Sequence, residues 1–186
     1  MKYLDKSTIS KQIAFSAMFA ALCCVSTMLL TVPLPASGYF NTGDVFVLLS
    51  GWFLGPILGC ASAGIGSALA DILSGYAFYA PATFVIKSID ALLAYFIWYI
   101  IKKLIKKDPI DFLPRLFSGI IAELFMIFGY FVFESIFYGV GGAIPNIIGN
   151  ALQGACCITI AVMLCSALYP IKTIKRYFPL LTIQTI

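Results

Sequence analysis

The sequence predicts an all-α integral membrane protein, a bundle of six transmembrane helices with both termini on the cytoplasmic side. Three observations lead there. The 186 residues are 61% hydrophobic and only 11% charged, against about 45–50% and about 25% in soluble domains. A small globule cannot bury that excess, whereas a bilayer removes the need to. Apolar stretches near the length of a membrane span recur between Gly and Pro breaks. Finally, eleven of the twelve Lys and Arg residues fall into three clusters.

One membrane domain, 1–186, is expected, with spans at 12–33, 43–57, 59–75, 80–101, 113–138 and 143–169. The head Met1–Gln12 is polar and basic. The apolar run Ala14–Val32 is expected to be retained as the first span, because more spans follow and no small-residue cleavage site precedes a soluble segment. Spans two and three are short and meet near Gly55-Pro56, so a broken pair that does not fully cross also fits.

Lys2, Lys6 and Lys11 precede span one. Lys102, Lys103, Lys106, Lys107 and Arg115 lie between or beside spans four and five, and Lys172, Lys175 and Arg176 follow span six. The intervening loops 34–42, 76–79 and 139–142 carry no Lys or Arg. Six spans put all three clusters on one side, the cytoplasmic one by the positive-inside rule. The run around Lys102–Lys107 reads as an anchor beside anionic lipid. It lacks the aromatic interleaving of a nucleic-acid site, and no nucleic-acid partner is expected.

Cys23, Cys24, Cys60, Cys156, Cys157 and Cys165 lie in apolar runs without a Cys-x-x-Cys, as small buried hydrophobes do. The chain has no histidine, which removes His-Glu-x-x-His zinc chemistry and histidine-activated nucleophiles. No cofactor, metal or catalytic residue is expected.

Ionisable side chains inside spans are functional candidates by default. Here they are Asp71, Lys87, Asp90, Glu123 and Glu134. Counted from the loops, Asp71, Lys87, Asp90 and Glu134 fall in the outer half of the membrane. Asn146, Asn150 and Gln153 follow i, i+4, i+7 spacing on one face of span six, starting from the same side. Four helices thus direct polar groups to a common depth, the pattern of an outward-facing pocket. Glu123 stands apart, deeper, with no role assigned. Lys87 and Asp90 at i, i+3 also fit a mutually neutralising pair, and the amides also fit helix-to-helix glue. Asp44, after Asn41-Thr42-Gly43, reads as a helix cap.

Tyr39, Phe40, Tyr76, Phe78 and Tyr79 flank the pocket in two outer loops, as an interfacial belt or as walls for a flat heterocycle. Small residues repeat at contact spacing: Ala17 and Ala21 in span one, then Gly51, Gly55, Gly59 and Ala63. Such spacing lets helices approach closely.

The stretch Ala17-Met-Phe-Ala-Ala21, the run Pro33-Leu-Pro-Ala-Ser-Gly-Tyr-Phe-Asn-Thr-Gly-Asp44, the segment Gly64-Ile-Gly-Ser-Ala-Leu-Ala-Asp71 and Tyr79-Ala-Pro-Ala-Thr-Phe-Val-Ile-Lys87 carry a resemblance across essentially the whole chain. It resembles the substrate-binding S components of energy-coupling factor (ECF) vitamin transporters, in the riboflavin, pyridoxine and hydroxymethylpyrimidine branch. The resemblance implies a six-helix bundle that captures a vitamin outside the cell. It implies partners too: a transmembrane coupling subunit, met by Ala17 and Ala21, and two cytoplasmic ATPases. The loop Leu34–Asn41 would act as a lid, and the location would be a bacterial cell membrane.

The expected substrate-binding residues are therefore Lys87, Asn146 and Asn150, with Asp71, Tyr79, Glu134, Gln153, Tyr39 and Asn41. Acids, amides and one Lys suit a neutral or weakly basic heterocycle better than a polyanion. Pyridoxine or hydroxymethylpyrimidine types are favoured, with riboflavin, thiamine or a queuosine precursor also compatible. The competing classes are an intramembrane enzyme using Asp71 and Asp90, and a small channel. A channel would need polar residues along its whole path.

Overall fold

The computed structural model describes residues 6–30, 32–33, 39–105, 108 and 110–178. The chain forms α1 (Lys6–Leu29), a two-residue antiparallel ladder of β1 (Val32–Pro33) and β2 (Tyr39–Phe40), then α2 (Asp44–Leu73), α3 (Ala80–Leu104), α4 (Phe112–Leu168) and α5 (Lys172–Tyr177). α1 from Ile9 onward, α2, α3 and α4 are each long and apolar enough to cross a membrane, giving four candidate spans among the described residues. The six expected spans map onto these four: α2 holds the second and third, and α4 the fifth and sixth.

Both long helices are broken inside. Gly55 has φ 82°, ψ −169° and Gly139 has φ 74°, ψ 161°, a region that is essentially glycine-only. Pro56 adds to the first break, since it has no N–H and disfavours helix in the residue before it. The breaks are reversals. Ser50 Oγ donates to the Gly59 carbonyl at 3.1 Å although the two are nine residues apart, a separation of about 13 Å in a straight helix. Likewise Asn146 Nδ2 donates to Glu134 Oε1 at 2.9 Å across Gly139. α2 is thus two arms, 44–54 and 56–73, and α4 is two arms, 112–138 and 140–168.

The arms alternate in direction. α1 runs parallel to the second arm of α2, because Ser16 meets Ser62 and Ala20 meets Gly66. The first arm of α2 runs parallel to α3, with Gly51 against Ala91 and Trp52 Nε1 donating to the Ala94 carbonyl at 3.2 Å. α3 is antiparallel to the first arm of α4: Ile86 packs on Gly129 while Lys102 pairs with Asp111 at 2.7 Å. The first arm of α2 is only about 16 Å long, roughly half of the ~30 Å hydrocarbon layer. The chain before it, from the β ladder through Asn41, therefore descends among the helices, and α2 begins deep in the bundle.

The core around Trp52, Trp98, Leu48 and Phe53 is closed by the small residues Ala94, Ala122 and Ala161. Large apolar side chains such as Ile57, Leu29, Ile136 and Ile148 point outward, while Asp44, Lys87, Asp90, Glu123, Asn146 and Gln153 are buried inside. That inversion is what a lipid solvent demands.

Candidate functional site

The descent of residues 39–43 builds the site. Tyr39 Oη donates to Asp71 Oδ1 at 2.6 Å, tying the β ladder to the end of α2. Burial and the neighbouring Asp71 carboxylate push the Tyr39 phenol above its usual range, so it remains a donor. Two residues on, Asn41 Oδ1 accepts the Gly43 N–H at 2.8 Å, and Thr42 Oγ1 donates to the Ser26 carbonyl at 3.1 Å. These contacts deliver Asp44 to the bundle interior. Gly43 is the N-cap of α2 and no side chain caps it, so Asp44 is not the expected cap. Its carboxylate instead accepts from Lys87 and, at 2.5 Å, from Gln153 Nε2.

A cavity opens beside this point, lined by Tyr39, Asn41, Asp71, Tyr79, Thr83, Tyr130, Glu134, Asn150 and Gln153. Five elements contribute: β2 and the turn after it, α2, α3 and its N-cap, and both arms of α4. Asp71 and Glu134 each present a second oxygen that has no hydrogen-bonding partner among the described residues. Tyr39, Tyr79 and Tyr130 supply an aromatic wall, with Tyr76 packed on Tyr39 (ring centroids 4.7 Å apart) and Phe133 on Tyr79 (5.2 Å). The space open to water is about 30 Å³, room for one or two waters. A heterocycle can enter only if side chains or the Tyr39–Asn41 segment move aside. Of the expected lid Leu34–Asn41, residues 34–38 lie outside the described residues.

Lys87 and Asn146 do not line the cavity. Asn146 is buried behind it and holds Glu134 Oε1. Lys87 lies against the Tyr130 ring, its ammonium 5.4 Å from the centroid, and pairs with Asp44 rather than with Asp90. Thr83 and Tyr130 were absent from the expected set. Their signal was present in helical register, Thr83 four residues before Lys87 and Tyr130 four before Glu134.

Below the cavity lies a second cluster. Asp44, Asp90 and Glu123 bring carboxylate oxygens within 4.8 Å of one another. Glu123 is therefore not the isolated deep charge its position in the chain implied. Asp90 belongs to this group and Asp71 to the cavity, so the imagined Asp71–Asp90 pair is not assembled. Gln153 joins the two layers: Oε1 accepts the Asn41 N–H at 2.8 Å while Nε2 donates to Asp44.

On the opposite side of α1, Ser16, Ala17, Ala20, Ala21 and Cys24 form an open groove with Ala61, Ser62, Ile65 and Leu69 of α2. Ser62 and Gly66 pack against Ser16 and Ala20, which leaves Ala17 and Ala21 exposed.

Comparison with known proteins supplies the lineage. The chain is 33% identical over 130 residues to an uncharacterized protein in the gap 3′ region of Pyrococcus woesei, covering 69% of this chain and 82% of that one. Residues 7–170 match the family model described as "ECF-type riboflavin transporter, S component". The chain thus belongs to the S components of ECF transporters, multi-pass membrane proteins that bind substrate for transport.

Proposed function

We propose that this chain is the high-affinity capture subunit for a small neutral or weakly basic heterocyclic vitamin or vitamin precursor. The observation that carries the reading is the cavity between Tyr39, Asp71, Tyr79, Glu134 and Asn150. It combines an aromatic wall with a few fixed polar groups, as small-molecule sites do. Its carboxylate oxygens without partners favour a ligand rich in O–H or N–H donors, of the pyridoxine or hydroxymethylpyrimidine type. The family's description leaves riboflavin compatible, and thiamine or a queuosine precursor fit the same chemistry.

In this reading the helical segments cross the cell membrane six times with both termini cytoplasmic. Alternating arm directions and the basic clusters support that topology. The Ala17–Ala21 groove receives a transmembrane coupling subunit, and two cytoplasmic ATPases supply the energy, so no hydrolytic chemistry falls to this chain. Mass spectrometry of small molecules extracted from the purified protein tests the assignment. A stoichiometric heterocycle bearing hydroxyl or amino groups is expected, and a polyanion in its place would contradict it.

A further inference from the structure

The three carboxylates below the cavity have a charge imbalance that the described residues do not resolve. Asp44, Asp90 and Glu123 are 0%, 0% and 2% exposed, and the neighbouring cation Lys87 is 2% exposed. Lys87 pairs with Asp44, and Gln153 takes the second Asp44 oxygen. Both oxygens of Asp90 and both of Glu123 have no hydrogen-bonding partner among the described residues. A buried ionic group left in this state is strongly destabilising unless something compensates it.

We propose that this cluster binds one hard divalent cation, with Asp90 and Glu123 as the principal ligands and Asp44 completing the site. Geometry, donor chemistry and charge support it together. The oxygens lie within 4.8 Å of one another, about twice a metal–oxygen distance of 2.3–2.6 Å for calcium. An all-carboxylate set selects hard cations such as Ca²⁺ or Mg²⁺. With all four groups ionised, three negative charges and one positive leave two uncompensated, the charge of one divalent ion. Glu123 is also held in place from behind: a Cβ on Gly154 would lie 3.1 Å from its Cβ and 3.2 Å from Oε2. Two acid protons shared among the carboxylates would offset the same charge and supply donors to these oxygens, and in that case neither metal binds. None of the three carboxylates lines the cavity, and Gln153 and Lys87 lie between the two.

The test uses the full-length protein in detergent, stripped with chelator and then equilibrated with Ca²⁺ or Mg²⁺ alone. About one ion per chain by elemental analysis, a raised unfolding temperature, and loss of both in Glu123→Gln and in Asp90→Asn are expected. Failure to bind either metal at millimolar concentration overturns the proposal. So does binding that persists in both variants, which would mark an adventitious ion only. Because the wild-type measurement stands alone, a variant that fails to fold leaves the test intact.

Discussion

Gln153 and Asp44, 109 residues apart in the chain, meet at 2.5 Å and fasten the second arm of α4 to the first turn of α2. The same amide accepts the Asn41 N–H, so one side chain closes the floor of the cavity and caps the buried charge cluster.

Replacing Gln153 by Leu removes these bonds and the one from Asn41 Nδ2 at 3.3 Å, and takes a partner from a buried N–H and from a buried carboxylate oxygen. Each such loss costs about 1–3 kcal/mol, more where a charge is involved. The variant should unfold several degrees below the parent in thermal scans in detergent, and ligand affinity should fall by about tenfold or more. An unchanged melting temperature would show that the bridge carries no stability.

Lys87→Met should be among the most damaging single changes, because it strands Asp44. Breaking a buried pair by removing one partner costs about 3–5 kcal/mol. Lys87→Met combined with Asp44→Asn should recover most of the loss, whereas Lys87→Met with Asp90→Asn should not, since Asp44 is the bonded partner. The three melting temperatures decide the pairing. If ligand affinity stays low when stability returns, Lys87 also serves the binding site.

The two chain reversals should be sensitive to any side chain. Gly55→Ala and Gly139→Ala force alanine into a region costing about 1–3 kcal/mol. Nothing lies within 4 Å of a Cβ at Gly139, and the same is true at Gly141. Gly141→Ala, whose backbone φ is not positive, therefore controls for bulk. It should leave the melting temperature within about a degree of wild type.

Ala17→Trp and Ala21→Trp should abolish uptake by the assembled transporter while leaving ligand binding by the isolated chain within a few-fold. The ring fills the exposed groove on α1, blocking close helix approach, and lies away from the cavity. Retained uptake would remove this groove from the coupling surface.

These expectations show where the residue pattern is legible. The apolar runs and their Gly and Pro breaks locate every arm, because membrane burial of backbone leaves only helix as a solution. Asp71, Tyr79, Glu134, Asn150 and Gln153 are recoverable as polar or aromatic positions in or beside apolar runs, and one cavity gathers them with Tyr39 and Asn41. Asp44 is not recoverable in this way. A carboxylate after Asn-Thr-Gly looks like a local cap, and its true partners come from α3 and α4. Glu123 misleads for a related reason. Counting depth assumes that each helix starts at the membrane surface, whereas α2 starts well inside, bringing Asp44 down to the level of Glu123. Thr83 and Tyr130 lie in register with recognised residues but carry uncharged side chains, which are less conspicuous in an apolar span.

The cavity between the β ladder, α2, α3 and α4 is proposed to hold the transported molecule. Equilibrium binding of the copurified compound to the wild-type protein, to Asn150→Ala and to Glu134→Gln tests it most directly, with Gly141→Ala as control. Losing one neutral hydrogen bond costs about 0.5–1.5 kcal/mol, and more if a buried group is stranded, while 1.4 kcal/mol is tenfold in affinity. Both cavity variants should bind roughly three- to tenfold more weakly or worse, with the control unchanged. Wild-type dissociation constants in both cavity variants would place the ligand elsewhere and contradict the account.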